Sequence, residues 1–177
     1  MKRLPLILLL ALTSCMGQSL QQVYDAQEKK IDSFVTAQTK NEERVEYQDG
    51  TVRVVVAEGT STDVLSPGGT VSFYYAGYVL SGSAVSASSL FATNRQEVAD
   101  AAGWNLSDES IYAVETVSLS EDNLIEGLKR GLPGVKEGEE CYILFTGKYG
   151  YGKKAAGTIP AKSALVYHIW VESISND

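Results

Sequence analysis

Wherever the chain between Gly69 and Asn176 shows a clear hydrophobic period, that period is two, with a single exception. Val71, Phe73, Tyr75 and Gly77 alternate with Ser72, Tyr74 and Ala76; Leu165, Tyr167, Ile169 and Val171 share one face while His168 and Trp170 take the other. Such alternation marks strands that turn one face to a core. The exception is Leu124, Ile125, Leu128 and Leu132, a stripe at helical spacing stopped by Pro133-Gly134. Ser120 reads as its N-cap, with Glu121 and Asp122 in the first turn. Several strands and one amphipathic helix have few ways to cover their apolar faces. The pattern predicts an α+β fold, a curled antiparallel sheet wrapped around that helix.

Ahead of this region the pattern changes twice. From Leu20 to about Lys40 apolar residues recur at helical spacing without Gly or Pro, but the stripe is thin. It predicts a helix that packs loosely or stands off as a stalk. Next, Val45 and Tyr47 face Val52, Val54 and Val56 across Asp49-Gly50, a dipeptide suited to a tight hairpin. The N-terminus carries Lys2 and Arg3, an apolar run from Leu4 to Leu12 and then Leu12-Thr13-Ser14-Cys15. This is the form of a secretory leader, too short to span a bilayer, and it resembles a bacterial lipobox whose Cys receives lipid. The chain is thereby divided into a leader (1–14), a tether and helical extension (15–45), a hairpin and linker (46–68) and the main domain (69–177). The expected location is the bacterial cell envelope, anchored by lipid on Cys15 and facing the periplasm, since residues 16–19 hold no acid.

Charge and composition exclude several functions. With 22 acidic against 15 basic residues and a formal charge of −7, nucleic acid is a poor partner. His168 is the only histidine, so no metal site is expected. Gly147 to Lys154 lacks the spacing of a phosphate loop, and no cofactor is expected. Cys141 sits in an apolar strand and reads as an inert buried thiol. Glu139 and Glu140 fall at a turn and read as a solvated face.

Six segments then follow one another in a telling order: Val71 to Gly77, Leu124 to Leu128, Leu132 to Gly138, Tyr149-Gly-Tyr-Gly152, Gly157-Thr-Ile-Pro160 and Ala164 to Ile169. In that order they resemble the FKBP-type peptidyl-prolyl cis-trans isomerases, and the preceding helix and hairpin resemble the extension of FKBP-like lipoproteins. The resemblance implies an enzyme that assists the folding of exported proteins. Rotation about an Xaa-Pro bond faces a barrier of about 18–20 kcal/mol from amide resonance, and lowering it needs a dry aromatic cleft with a few placed donors. By the resemblance, Tyr151 is the catalytic hydroxyl aimed at the carbonyl before proline. Tyr75 and Phe91 are walls, and Leu124 and Ile125 form the near edge, with the Ile125 N–H open to a substrate carbonyl. Leu128 is the floor, and Ile159 and Tyr167 close the far side. The implied partners are proline-containing polypeptides, the membrane through the anchor, and macrolide ligands.

Three positions depart from the family pattern. Ala92 stands where active members carry Asp, Leu128 replaces the commoner Trp, and Glu115, beside Val114, stands where an aromatic wall is expected. These support an alternative, a catalytically weak or inactive binding and chaperone lipoprotein. The irregular, long segment from Ala92 to Ala113 is expected either to fold against the cleft, with Trp104 or Tyr112 supplying the missing wall, or to be a loop tucked elsewhere that Trp104 merely anchors.

Overall fold

The computed structural model describes residues 19–39, 44–105, 107–120 and 124–176. The leader, Cys15 and the residues up to Gln18 lie outside them, as do Glu121 and Asp122.

The hairpin forms where its turn chemistry demands. Asp49 and Gly50 both take positive φ, 47° and 83°, the turn that matches the twist of its flanking strands. It joins β1 (Arg44–Gln48) to β2 (Thr51–Ala57). β3 (Thr70–Val79), β4 (Leu90–Thr93), β5 (Glu115–Ser118), β6 (Glu140–Phe145) and β7 (Leu165–Ser175) complete one sheet in the order β1-β2-β6-β7-β3-β4. Every pairing is antiparallel. The far edge of β3 is shared, β5 pairing its first half and β4 its second. Register shifts at Val55/Ala57, Ser72/Phe73 and Gly77/Tyr78 bend the sheet as bulges do. The hairpin is thus an edge of this sheet, bonded to it from Thr51 to Ala57.

The strand alternation sorts side chains onto two faces as expected. Cys141, Ile143, Phe145, Leu165, Tyr167, Ile169 and Val171 point to the concave core, and Tyr142, Leu144, Val166 and Trp170 to the convex one. The concave face holds α3 (Glu126–Gly131). A Cβ on Gly127 would lie 2.3 Å from the Phe145 ring and one on Gly131 2.4 Å from Ile143, so the bare helix backbone rests on β6. This helix is shorter than predicted. Its N-cap is Ile125, whose carbonyl accepts from the Leu128 and Lys129 N–H groups at 3.0 Å, and the Ser120 hydroxyl instead pairs with Ser118. Leu124 and Ile125 therefore precede the helix.

The convex face is covered by α1 (Leu20–Gln38), capped by a Ser19–Gln22 box. This helix is no stalk. Ile31, Phe34 and Val35 are buried against β2 and β6 residues, and the Phe34 ring meets Tyr142 edge-on at 5.2 Å. The stripe looked thin because its central member is Gln27, which is buried yet satisfied: its carbonyl accepts from Gly147 N–H at 2.8 Å and its amide donates to the Lys162 carbonyl. A second short helix, α2 (Gln96–Ala101), belongs to the connection after β4.

Two charged groups behave differently from the sequence reading. Glu139 is 1 % exposed rather than solvated, facing Arg53 and Arg44 across 3.5 and 3.6 Å. The Glu140 carboxylate accepts from His168 Nε2 at 2.7 Å, and the imidazole lies between the Tyr142 and Trp170 rings. Burial pushes His168 down to about 4, against the pull of Glu140 and helped by Arg95. The unfolded chain takes up this proton near pH 6.5, the folded one only near 4. Stability from this group is thus complete above pH 6.5 and is lost as pH falls toward 4, by up to about 1.4 kcal/mol per unit. Urea midpoints of wild type and His168→Gln should diverge across that window; parallel curves would show that His168 does not set the acid sensitivity.

Candidate active site

At the open end of the concave face lies a cleft of about 410 Å³. β3 contributes Phe73 and Tyr75, β4 Phe91 and Ala92, β5 Glu115 and Val117, and β7 Tyr167. The extended residues Leu124 and Ile125, Leu128 from α3 and Tyr151 from the β6–β7 loop close it. Seven of the eight residues singled out from the sequence, Tyr75, Phe91, Leu124, Ile125, Leu128, Tyr151 and Tyr167, therefore meet in one cavity. Ile159 does not line it. That residue is 5 % exposed and packs within the concave core, held by the paired bonds between Ala156 and Ile159.

Tyr167 organises the aromatic wall. Its ring lies 6.1 Å from Tyr75, 5.7 Å edge-on from Phe91 and 5.9 Å stacked on Phe145, the tilted and offset contacts that aromatic quadrupoles favour. Phe91 reaches it because Gly77 has no side chain; a Cβ there would fall 2.5 Å from the Phe91 ring. Burial, with the Tyr75 and Tyr151 hydroxyls nearby, pushes the Tyr167 phenol well up, so it stays neutral. Burial first, then Glu115 and Tyr151, also raises Tyr75.

The polar groups are few and open. Tyr151 is 41 % exposed, a hydroxyl at a cleft mouth and not a core residue. Its loop is pinned from below, since the Gly127 N–H donates to the Tyr149 carbonyl at 2.8 Å and the Arg130 guanidinium lies 4.7 Å over the Tyr149 ring. The Ile125 backbone N–H has no acceptor among the described residues. Leu128 is buried as the floor.

Of the segment from Ala92 to Ala113, only Ala92 lines the cleft. Trp104 packs on the convex core and Tyr112 lines a polar hollow with Tyr74, Arg95 and Glu172. The physical cause is Asn94. It accepts from the Tyr75 N–H at 2.6 Å and donates to the Phe73 and Ala113 carbonyls, clamping both ends of the segment to β3. Val117 and Phe73 line the cleft instead, two residues missed as site members. Phe73 was legible as the position two before Tyr75 on the same strand face, and Val117 as two after Glu115.

A curled antiparallel sheet over one short helix, with an aromatic-walled cleft at its open end, is an FKBP-like fold. Residues 62–172 match the family described as FKBP-type peptidyl-prolyl cis-trans isomerase, and the chain belongs to that family. FK506-binding protein 1 of Aspergillus oryzae is 38% identical over 53 residues, 30% of this chain and 46% of that protein. The chain thus spans about half the length of that curated relative. Among solved structures, a peptidyl-prolyl cis-trans isomerase from Pseudomonas syringae pv. tomato aligns with TM-score 0.59 at 17% identity, covering 90% of this chain and 98% of its own. FkpA from Escherichia coli aligns with TM-score 0.57 at 20% identity over 88% and 62%. At these identities the structural likeness shows the fold, and its coverage extends beyond residues 62–172.

Proposed function

We propose that this protein is a peptidyl-prolyl cis-trans isomerase that acts on exported polypeptides from a lipid anchor on Cys15, at the periplasm-facing side of a bacterial envelope. The observation that carries the enzymatic reading is the pairing of an aromatic-walled cleft with two donors at its mouth, the Tyr151 hydroxyl and the Ile125 N–H. A proline ring set on Leu128 between Tyr75, Phe91 and Tyr167 leaves water, and a desolvated prolyl amide loses the charge-separated resonance form that makes rotation slow. The Tyr151 hydroxyl takes the carbonyl before proline, and the Ile125 N–H takes a further substrate carbonyl. No proton moves, so Ala92 removes an acceptor without removing a step. The same cleft suits a macrolide ester, and the leader pattern before Cys15 supports export.

Ala92 and Glu115 in the cleft wall favour a second reading, a binding module that captures proline segments with little turnover. A protease-coupled assay on a Leu-Pro peptide separates the two. Tyr151→Phe should lower kcat/KM by roughly tenfold, the worth of one hydrogen bond of about 1–1.5 kcal/mol. Its unfolding free energy should fall by no more than the roughly 0.5–1.5 kcal/mol of one hydrogen bond, because the residue sits at the cleft mouth and its hydroxyl meets only that of Tyr167 among the described residues. A wild type without turnover that still binds the peptide would decide for the second reading.

A further inference from the structure

Although the chain is acidic, with a formal charge of −7, no Asp or Glu occurs between Cys141 and Val171, a stretch that holds Lys148, Lys153, Lys154 and Lys162. The fold gathers these lysines at one pole. The Lys162 N–H donates to the Gly152 carbonyl at 2.6 Å and the Gly152 N–H to the Gly147 carbonyl at 2.8 Å, so the three lysine-bearing turns share one backbone knot. All four side chains are exposed, and among the described residues none is paired with a carboxylate.

The same knot receives α1. Gln27 binds Gly147 and Lys162, whereas Phe34 lies over Tyr142 near the start of β6. The helix therefore runs antiparallel to β6, with its first residues toward and beyond the lysine pole. Ser19 precedes Gln27 by about 12 Å of helix at 1.5 Å per residue, and only three residues separate Ser19 from Cys15. Within this half of α1, Asp25 and Glu28 are matched by Lys29 and Lys30.

We infer that the pole formed by Lys148, Lys153, Lys154 and Lys162 docks on anionic phospholipid headgroups, holding the domain with its cleft mouth beside the membrane surface. The inference rests on the lipid anchor of the proposed function, which places this pole against the bilayer. Lysines near an anionic surface each strengthen attachment, so a cationic patch beside the lipid anchor orients the domain as well as holding it. Tyr151 lies between Lys148 and Lys153, so a docked domain meets its clients at the membrane face.

The test uses the acylated full protein in two kinds of vesicle, phosphatidylcholine alone and phosphatidylcholine mixed equally with phosphatidylglycerol. Lysine acetylation rates are read by mass spectrometry, with Lys136, at the opposite end of β6, as internal reference. On anionic vesicles the four lysines should label roughly fivefold or more slowly than on neutral ones, with Lys136 unchanged, and high salt should abolish the difference while the protein still floats with the vesicles. Lys153→Gln/Lys154→Gln should weaken protection of Lys148 and Lys162. A wild type that does not float, or a Cys15→Ala variant that floats as well, overturns the anchor and the orientation with it. A protein that floats with its lysines labelled alike on both vesicles overturns the docking alone. Equal protection by soluble polyglutamate assigns the pole to acidic polypeptides and also overturns it.

Discussion

Replacing Arg53 by Met should cost the fold about 3–5 kcal/mol, the range measured when one partner of a buried ion pair is removed. Arg53 is 2 % exposed at the centre of β2. Its Nη1 donates to the Gly131 carbonyl at 3.2 Å and the Pro133 carbonyl at 2.9 Å, satisfying the end of α3, and Nη2 donates to Glu46. Glu139 has no hydrogen bond to its carboxylate oxygens among the described residues; the guanidinium charge is what makes its burial tolerable. Desolvation already pushes the Glu139 carboxyl up and the Arg53 guanidinium down. With Met at position 53, the one cationic side chain left in an ion pair with Glu139 among the described residues is Arg44, at 3.6 Å. A domain of this size is stable by about 5–15 kcal/mol, so the loss should be plain in urea unfolding at neutral pH. Arg53→Met/Glu139→Met should recover much of it, because an apolar pair leaves no stranded charge. A single variant within about 1 kcal/mol of wild type would show that the pair is dispensable.

This cluster also marks a limit of what the sequence made legible. Alternation in β3 and β7 was plain because one face of each is the more apolar, whereas β6, apolar on both faces from Cys141 to Phe145, shows no period and read as a strand from its short apolar run and its entry turn. The cleft residues were legible for the same reason, their order along the chain being that of a family whose strands point them inward. Arg53 and Glu139 were not, since a charged residue in a strand or turn reads as solvated unless its partner is known, and theirs lies 86 residues away in the chain. Gln27 misled in the same way, a polar residue at the centre of an apolar stripe whose partners, Gly147 and Lys162, are remote. The placement of Trp104 depended on Asn94, whose three hydrogen bonds run to backbone atoms and leave no pattern in the sequence. Long-range polar contacts set the outcome in each of these cases, and hydrophobic periodicity carries no record of them.

The departures within the cleft follow from its packing. Leu128 offers less surface than an aromatic floor, yet the Tyr167 ring, stacked on Phe145 at 5.9 Å and edged by Phe91, keeps the wall aromatic. Glu115 sits opposite Phe73 in the β3–β5 register and brings charge to the rim, leaving Val117 and Phe73 to supply the apolar area beneath it. The cleft therefore keeps its dryness at depth and loses it at the edge, where a peptide backbone has polar groups of its own to satisfy.

Tyr167→Ala tests that division. Tyr167 is 6 % exposed and touches three other rings, so truncation removes buried area and leaves a cavity that Phe145 and Phe91 cannot fill without moving β6 or β4. Large aromatic truncations of this kind cost about 3–5 kcal/mol. The variant should also lose most of its affinity for a proline peptide, because the wall facing Leu128 is gone. Tyr167→Phe separates ring from hydroxyl. The ring contacts persist, and among the described residues the hydroxyl's one hydrogen-bond partner is Tyr151, so the loss should stay near the roughly 0.5–1.5 kcal/mol of one hydrogen bond, with peptide binding largely kept. Calorimetric unfolding and peptide titration on both variants decide the matter. If the Phe variant loses binding as fully as the Ala variant, the hydroxyl and not the aromatic wall holds the substrate, and the desolvation account of the cleft fails.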